Sequence, residues 1–269
     1  MKYYQTYPSK ILAPFVKQYW GMETTFEGDD PYLHRIISTG LPELIFYLDY
    51  KPDVSSSRRI EDNCILNIQQ NDFYDLSISD NLNIFAIYFH PEAINLFFNL
   101  PLGRFFNSNI ALSHLNKQLT NELQDKLSNS QTFEEKVEIA EFHLLQILSN
   151  VSINTDFKRR QHLVNLISQS RGIISVDALV DESCLSRKQF ERIFINQLGV
   201  SPKQYLKIIR FQSSLHHHSI CPQSSLTELA LQSGYYDQSH FINDVKSFTG
   251  STPKEIFKEC EMMSDYFGS

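Results

Sequence analysis

The chain has 269 residues, 42% of them hydrophobic, with 24 basic and 31 acidic side chains for a formal net charge of −7. That length leads us to expect two domains, and that apolar content excludes wholesale disorder. No uncharged apolar run reaches the roughly 18 residues of a membrane span, Met1 to Trp20 lacks a secretory h-region, and Cys64, Cys184, Cys221 and Cys260 form no CxxC pair, so a soluble cytoplasmic protein without disulfides or a zinc site is expected.

Residues up to about Ile110 read as β-rich. Glu43 to Asp49 and Leu82 to Phe89 are short runs of aromatic and β-branched residues, the composition of strands. Gly40, Pro42, Pro52, Asp53 and Ser55 to Ser57 mark turns between them. Helical periodicity follows: Leu115, Leu119, Leu123 and Leu127 share one face, then Val137, Ala140, Leu144 and Leu148 share another. Asn150 to Thr155 is the expected linker. Beyond it every segment reads as helix or tight turn.

The acidity is confined to the first part. Residues 156–269 hold 13 basic and 12 acidic side chains, which leaves −8 on the remainder. An acidic N-terminal domain should avoid nucleic acid and leave any such contact to the C-terminal part.

That C-terminal part contains a repeat. Phe190, Phe194, Gly199 and Pro202 recur as Phe241, Val245, Gly250 and Pro253, each 51 residues later, and Leu179-Val180 recurs as Leu229-Ala230 after 50. Each copy reads as helix, turn, helix. Ser175 caps the first helix of the first copy. Ser186 with Gln189, and Ser225 with Glu228, form capping boxes, and Asp237 caps the second helix of the second copy. Gly199 and Gly250 stop the second helices. Ser201-Pro202 and Thr252-Pro253 start the next ones with proline at its tolerated first position.

Opposite the apolar stripes lie Lys188, Glu191, Arg192 and Ile195 in the first copy, and Ser239, Ile242, Asn243 and Lys246 in the second. Gln238 and His240 flank the start of the latter helix. A helix-turn-helix offers the N-terminal end of its second helix to base edges in the major groove, and Arg, Lys, Asn, Gln and Ser are the side chains that read them. Between the copies, Pro202 to about His218 forms one helix of about 25 Å at 1.5 Å per residue. Its Lys203, Lys207 and Arg210 share a face suited to phosphates or to an internal ion pair. His216, His217 and His218 point about 100° apart and suit a helix end better than a metal.

Residues from about Ile173 to Phe257 resemble the AraC/XylS DNA-binding module over its full length. The resemblance is carried by LxxxxxxSRKQFERIF from Leu179, LGVSPKQYL from Leu198, Arg210, and LALQSGYYDQSHFINDVKSFTGSTPKEIF from Leu229. It implies an all-helical pair of helix-turn-helix units joined by a long helix, and sequence-specific transcriptional control. It puts base contacts on Lys188, Glu191 and Arg192, and on Gln238, Ser239, His240 and Asn243. Phosphate contacts are expected at Arg187, Lys203, Lys207, Arg210 and Lys246. Val245 and Asp244 stand where larger or apolar residues are usual, which would loosen the second unit, and His217 and His218 replace two leucines.

The first domain resembles, less specifically, the β-rich domain upstream of this module in other regulators. Leu12 to Val16 with Tyr19-Trp20, His34 to Gly40, and Phe89 to Ala93 with Phe97 carry the likeness.

The fold class expected is therefore α+β. A β-rich domain over 1–152, cupin-like or degenerate, ends in helices; an all-α double helix-turn-helix domain follows over 156–269, with units near 176–198 and 226–248. Phe15, Trp20, Phe46, Phe85 and Tyr88 are candidates to line a ligand pocket, against the alternative that they are plain core. His34, His90 and His114 are isolated, so no metal or other cofactor is expected. No nucleophile elbow, P-loop or dinucleotide fingerprint stands in the sequence, so no enzyme is expected. The expected partners are double-stranded DNA, RNA polymerase, a small-molecule effector and a second copy of the chain. The alternatives are a β-barrel enzyme fused to a helical module, and a ligand-free interaction adaptor.

Overall fold

The computed structural model describes residues 2–25, 30–54 and 60–259; the turn expected at Ser55 to Ser57, and Cys260, lie outside them. Among the described residues nine strands come first: β1 (Lys2–Thr6), β2 (Val16–Thr24), β3 (Tyr32–Ile36), β4 (Glu43–Tyr47), β5 (Asp53–Val54), β6 (Cys64–Asn67), β7 (Tyr74–Ile78), β8 (Leu82–Phe89) and β9 (Asn109–Ala111). They form a six-stranded sheet in the order β1-β2-β8-β4-β6-β9 and a three-stranded sheet in the order β3-β7-β5. Every pairing is antiparallel. Among the described residues neither sheet closes into a barrel, which is the degenerate rather than the cupin-like form of the expected β-rich domain.

The large sheet has two covered faces, and strand alternation sorts its residues between them. Leu44, Phe46, Phe85, Ile87 and Phe89 point to one side, where α2 (Ser113–Ser128) and α3 (Phe133–Ser149) cover them with Leu123, Leu127, Phe133, Ala140 and Leu144. Ile45, Tyr47, Ile84 and Ala86 point to the other, where Tyr74, Leu76 and Ile78 of the small sheet meet them. Burial on both sides explains the nearly unbroken apolar run of β8.

Leu115 does not join the stripe of α2. The backbone leaves the helical region at Asn116 (φ −156°, ψ 92°), which turns Leu115 outward to 37% exposure. A short helix, α1 (Ile94–Phe98), and a 3-10 turn (Leu102–Arg104) lie between β8 and β9.

Over its described residues the C-terminal part is helical: α4 (Thr155–Gln169), α5 (Val176–Ser183), α6 (Arg187–Leu198), α7 (Pro202–Ile220), α8 (Leu226–Gln232), α9 (Gln238–Thr249) and α10 (Pro253–Glu259). Its punctuation is local chemistry and follows the sequence. Ser175 accepts from the Ala178 amide, both capping boxes form, and Asp237 accepts from the His240 amide. Gly199 (φ 83°) and Gly250 (φ 74°) end α6 and α9 in the left-handed region that a side chain disfavours. No helix among the described residues is long and apolar enough to cross a membrane.

Candidate nucleic-acid interface and the domain junction

α5–α6 and α8–α9 form two helix-turn-helix units, packed on α7 around one core. Phe190, Phe194, Tyr205, Phe211, Phe241, Val245 and Phe248 are all buried in it. Phe211 of α7 stacks on Phe248 of α9 with ring centroids 4.8 Å apart. The smaller Val245 therefore leaves α9 docked.

Asp244 does not loosen α9 either. It is buried, and Lys207 Nζ on α7 lies 2.9 Å from its carboxylate. His240 Nε2 approaches the other oxygen at 3.9 Å. This ion pair ties the second reading helix to the connecting helix and takes Lys207 away from the phosphate role expected for it. Arg210, the other such residue on α7, has its guanidinium 5.7 Å from the Tyr235 ring and its Nε buried; this too departs from a free phosphate contact.

The remaining candidates lie at the surface. Lys188 and Arg192 on α6 are exposed, with Glu191 half-buried beside them; on α9, Ser239, Asn243 and Lys246 are exposed, with Gln238 and His240 half-buried. Lys203 at the start of α7 is exposed. Arg187 is exposed but engaged: it pairs with Asp177 of α5 and with Glu191 at 3.2 Å. Gln238 Oε1 accepts from Thr227 Oγ1 at 3.0 Å, which joins α8 to the start of α9.

The C-terminal ends of both reading helices are held by the N-terminal domain. Ile195, expected on the open face of α6, is 36% exposed there and also reaches the 3-10 turn, where a Cβ added to Gly103 would lie 2.5 Å from its Cγ2. Asn95 Nδ2 of α1 donates to Gln197 Oε1 at 3.2 Å. At the other unit, Arg35 on β3 makes two bonds to Asp75 on β7, at 2.7 and 2.9 Å. Its Nη1 donates to the Thr249 carbonyl at 2.9 Å, one of the last α9 carbonyls that the helix itself leaves without a donor. The same guanidinium lies 4.6 Å from the Phe73 ring, and Phe73 closes over Gly250. On α7, Gln212 Nε2 donates to the Ser38 carbonyl at 2.6 Å. Sequence reasoning missed this junction, because its residues look unremarkable until the two domains meet.

Another part of the junction lies at α4. Phe15 packs edge-on to Phe97 and tilted against Phe157 rather than lining a pocket. Nearby, the buried Glu92 faces the Arg160 charge, and burial pushes its carboxyl up to about 8. Burial likewise brings His90 down to about 4, helped by the Lys17 charge.

A cavity of about 1070 Å³ lies between the two sheets. Of the five expected pocket residues, Trp20 and Tyr88 line it. Phe46 and Phe85 have the opposite parity on their strands and lie in the helix-covered layer. Glu43, Arg35, Asp75 and His34 are its charged or titratable lining, and Ser251 and Ile256, beyond α9, also reach it. Burial lowers the His34 pKa against the pull of Asp75. Among the described residues no group of three His, Cys, Asp or Glu side chains is arranged to hold a metal.

At the end of α7, His218 stacks on Phe257 at 3.8 Å. Burial lowers the pKa of both His216 and His218. The charged rings expected to complement the helix dipole are therefore disfavoured at those two positions.

Residues 179–259 match a family described as a helix-turn-helix domain, and residues 4–111 match one described as a domain of unknown function, DUF6597. The HTH-type transcriptional regulator ArgR of Pseudomonas aeruginosa is 32% identical over 85 residues, covering 30% of this chain and 25% of that protein. The HTH-type transcriptional activator RhaS of Escherichia coli is 25% identical over 126 residues, covering 44% of each. The matched stretches thus span a quarter to under half of these curated relatives. Among solved structures, ToxT from Vibrio cholerae superposes with a TM-score of 0.50 at 15% identity, over 89% of this chain and 97% of that one, a likeness of fold. Residues 179–259 thus form a helix-turn-helix module of the AraC type.

Proposed function

We propose that the protein is a sequence-specific DNA-binding transcriptional regulator that reads two successive major-groove segments with α6 and α9. The observation that carries this reading is the orientation of those helices. Their N-terminal halves face solvent with Lys188, Arg192, Ser239 and Asn243 exposed, while their C-terminal ends are held by the other domain. Base edges are read by Lys188, Glu191 and Arg192 in one groove, and by Gln238, Ser239, His240 and Asn243 in the next. Arg187, Lys203 and Lys246 contact phosphates; Lys207 and Arg210 serve the fold. An effector acts through the N-terminal domain, and RNA polymerase and a second copy of the chain are the protein partners. The protein works in the cytoplasm and catalyses no reaction.

Footprinting of the full chain on its own upstream DNA tests this. One subunit should protect about two helical turns, since successive groove faces lie about 34–36 Å apart. Arg192→Ala and Asn243→Ala should each weaken specific binding by about 1–3 kcal/mol and relax base preference in different grooves. Wild-type affinity in both variants, or protection of one groove by folded protein, would overturn the assignment.

A further inference from the structure

The inter-sheet cavity has a lining whose chemistry selects a ligand. One wall is an aromatic cluster on the large sheet: Trp20 lies 6.2 Å from Tyr88 and 6.1 Å from Tyr3 between ring centroids. Glu43 stands within that cluster. It pairs across the strands with Tyr88, and its Oε1 accepts from the Trp20 indole N–H at 2.7 Å, which fixes the carboxylate beside the rings. Deeper, Ile45, Ile84, Leu76 and Ile78 make an apolar floor.

The lining carries two carboxylates, Glu43 and Asp75, against the single guanidinium of Arg35. That guanidinium is bound bidentately to Asp75 and turned towards the end of α9. His34 supplies no reliable positive charge, because burial lowers its pKa. An anionic head group placed among the rings would meet the Glu43 carboxylate. A cationic one would meet both that carboxylate and the negative faces of the aromatic rings, which attract ammonium groups.

We infer that this cavity binds an organic cation: an amine or quaternary ammonium head held by Glu43, Trp20 and Tyr88, carrying an apolar body that fills the space between the sheets. Ser251 and Ile256 reach the same cavity from beyond α9, so the occupant touches both domains and bears on the second reading helix through the Arg35 clamp. The inference gives a chemical class to the effector of the proposed regulator. Its binding is nevertheless read without DNA, so failure of one reading is distinguishable from failure of the other.

Trp20 is the chain's one tryptophan, which makes intrinsic emission a reporter of this site. The full-length protein is titrated below micelle formation with octyltrimethylammonium, octanol and octanoate, which share an apolar chain and differ in the charge of the head. Octyltrimethylammonium should change Trp20 emission saturably and bind at least about tenfold tighter than octanoate, with octanol between them. Glu43→Gln, which keeps an oxygen for the indole, should lose that preference while retaining octanol binding, and Glu43→Asp should restore part of it. Octanoate binding as tightly as the cation, a cation affinity unchanged in Glu43→Gln, or no saturable response to the cation would each overturn the proposal. If Glu43→Gln does not fold, the order of the three probes on the wild-type protein decides alone.

Discussion

The two helix-turn-helix units share one punctuation scheme but are fastened differently. α6 is seated on the N-terminal domain by close apolar contact, Ile195 against Gly103, with one neutral hydrogen bond from Asn95 to Gln197. α9 has apolar contacts too, with Phe73 over Gly250, but adds charge, from Asp244 to Lys207 inside the module and from Arg35 at its C-terminal end. Apolar contacts of backbone and methyl groups have no alternative partner to exchange with. A guanidinium shared between a carboxylate and a helix carbonyl does, and it lies on the wall of a cavity. A change in the N-terminal domain that moved Arg35 would therefore act on the second unit before the first.

The largest test of that contrast is Lys207→Ala. It strands a buried carboxylate, so the second unit should lose about 3 kcal/mol, at the lower end for broken buried pairs because Lys207 keeps 28% exposure. Lys207→Met with Asp244→Leu should recover most of the loss, as apolar replacements of buried pairs usually do. Chemical denaturation of both variants measures it; an unchanged midpoint in Lys207→Ala would mean the pair does not hold α9.

Next in size is a pH effect on the α4 side of the junction. Glu92 has its folded pKa pushed up to about 8 from an ordinary value of 4.5. The unfolded chain therefore releases the proton first. The contribution of this group is largest below about pH 4.5 and is lost as pH rises towards 8, by an amount on the order of 2–3 kcal/mol once relaxation of the site is allowed for. His90, brought down from 6.5 to about 4, works in the opposite direction below pH 6.5, so Glu92→Gln should flatten the fall in melting temperature between pH 6.5 and 8. A wild-type slope that persists in the variant would assign the effect elsewhere.

What could be read in advance divides along the same physical line. Caps, capping boxes and glycine stops depend on residues within a few positions, so Ser186 with Gln189, Ser225 with Glu228, Gly199 and Gly250 were all visible in the sequence. The exposed faces of α6 and α9 followed from periodicity, Ile195 included, but its contact with a 3-10 turn 92 positions away did not. Strand alternation separated Phe46 and Phe85 from Tyr47 and Ile84, but not which face the helices would cover. Hence the cavity was assigned to both faces at once, and only Trp20 and Tyr88 remain from the expected set. The role of Lys207 was open between phosphate and ion pair, because Asp244 comes near only when α7 and α9 pack. The acidic first domain also proves to be more than a separable neighbour: Leu41 and Tyr88 lie in the core of the helical module, so a fragment beginning near Asp156 would expose the surface they cover.

The smallest predicted difference is the sharpest comparison of the two fastenings. Arg35→Ala removes the donor to Thr249 and leaves Asp75, still only 19% exposed, without its guanidinium; about 1–2 kcal/mol should be lost. Asn95→Ala removes two neutral bonds at a half-buried site, the one to Gln197 and the one Asn95 Oδ1 accepts from the Leu100 amide, and should cost about 1 kcal/mol. The location matters more than the size. Hydrogen exchange should quicken over 245–252 in Arg35→Ala while 195–200 stays protected, because Ile195 and Gly103 remain in contact. In Asn95→Ala neither segment should change by more than about twofold, a shift of about 0.4 kcal/mol. If Arg35→Ala loosened both segments equally, the N-terminal domain would be acting as one rigid clamp, and a ligand in the cavity could not address the second unit separately from the first.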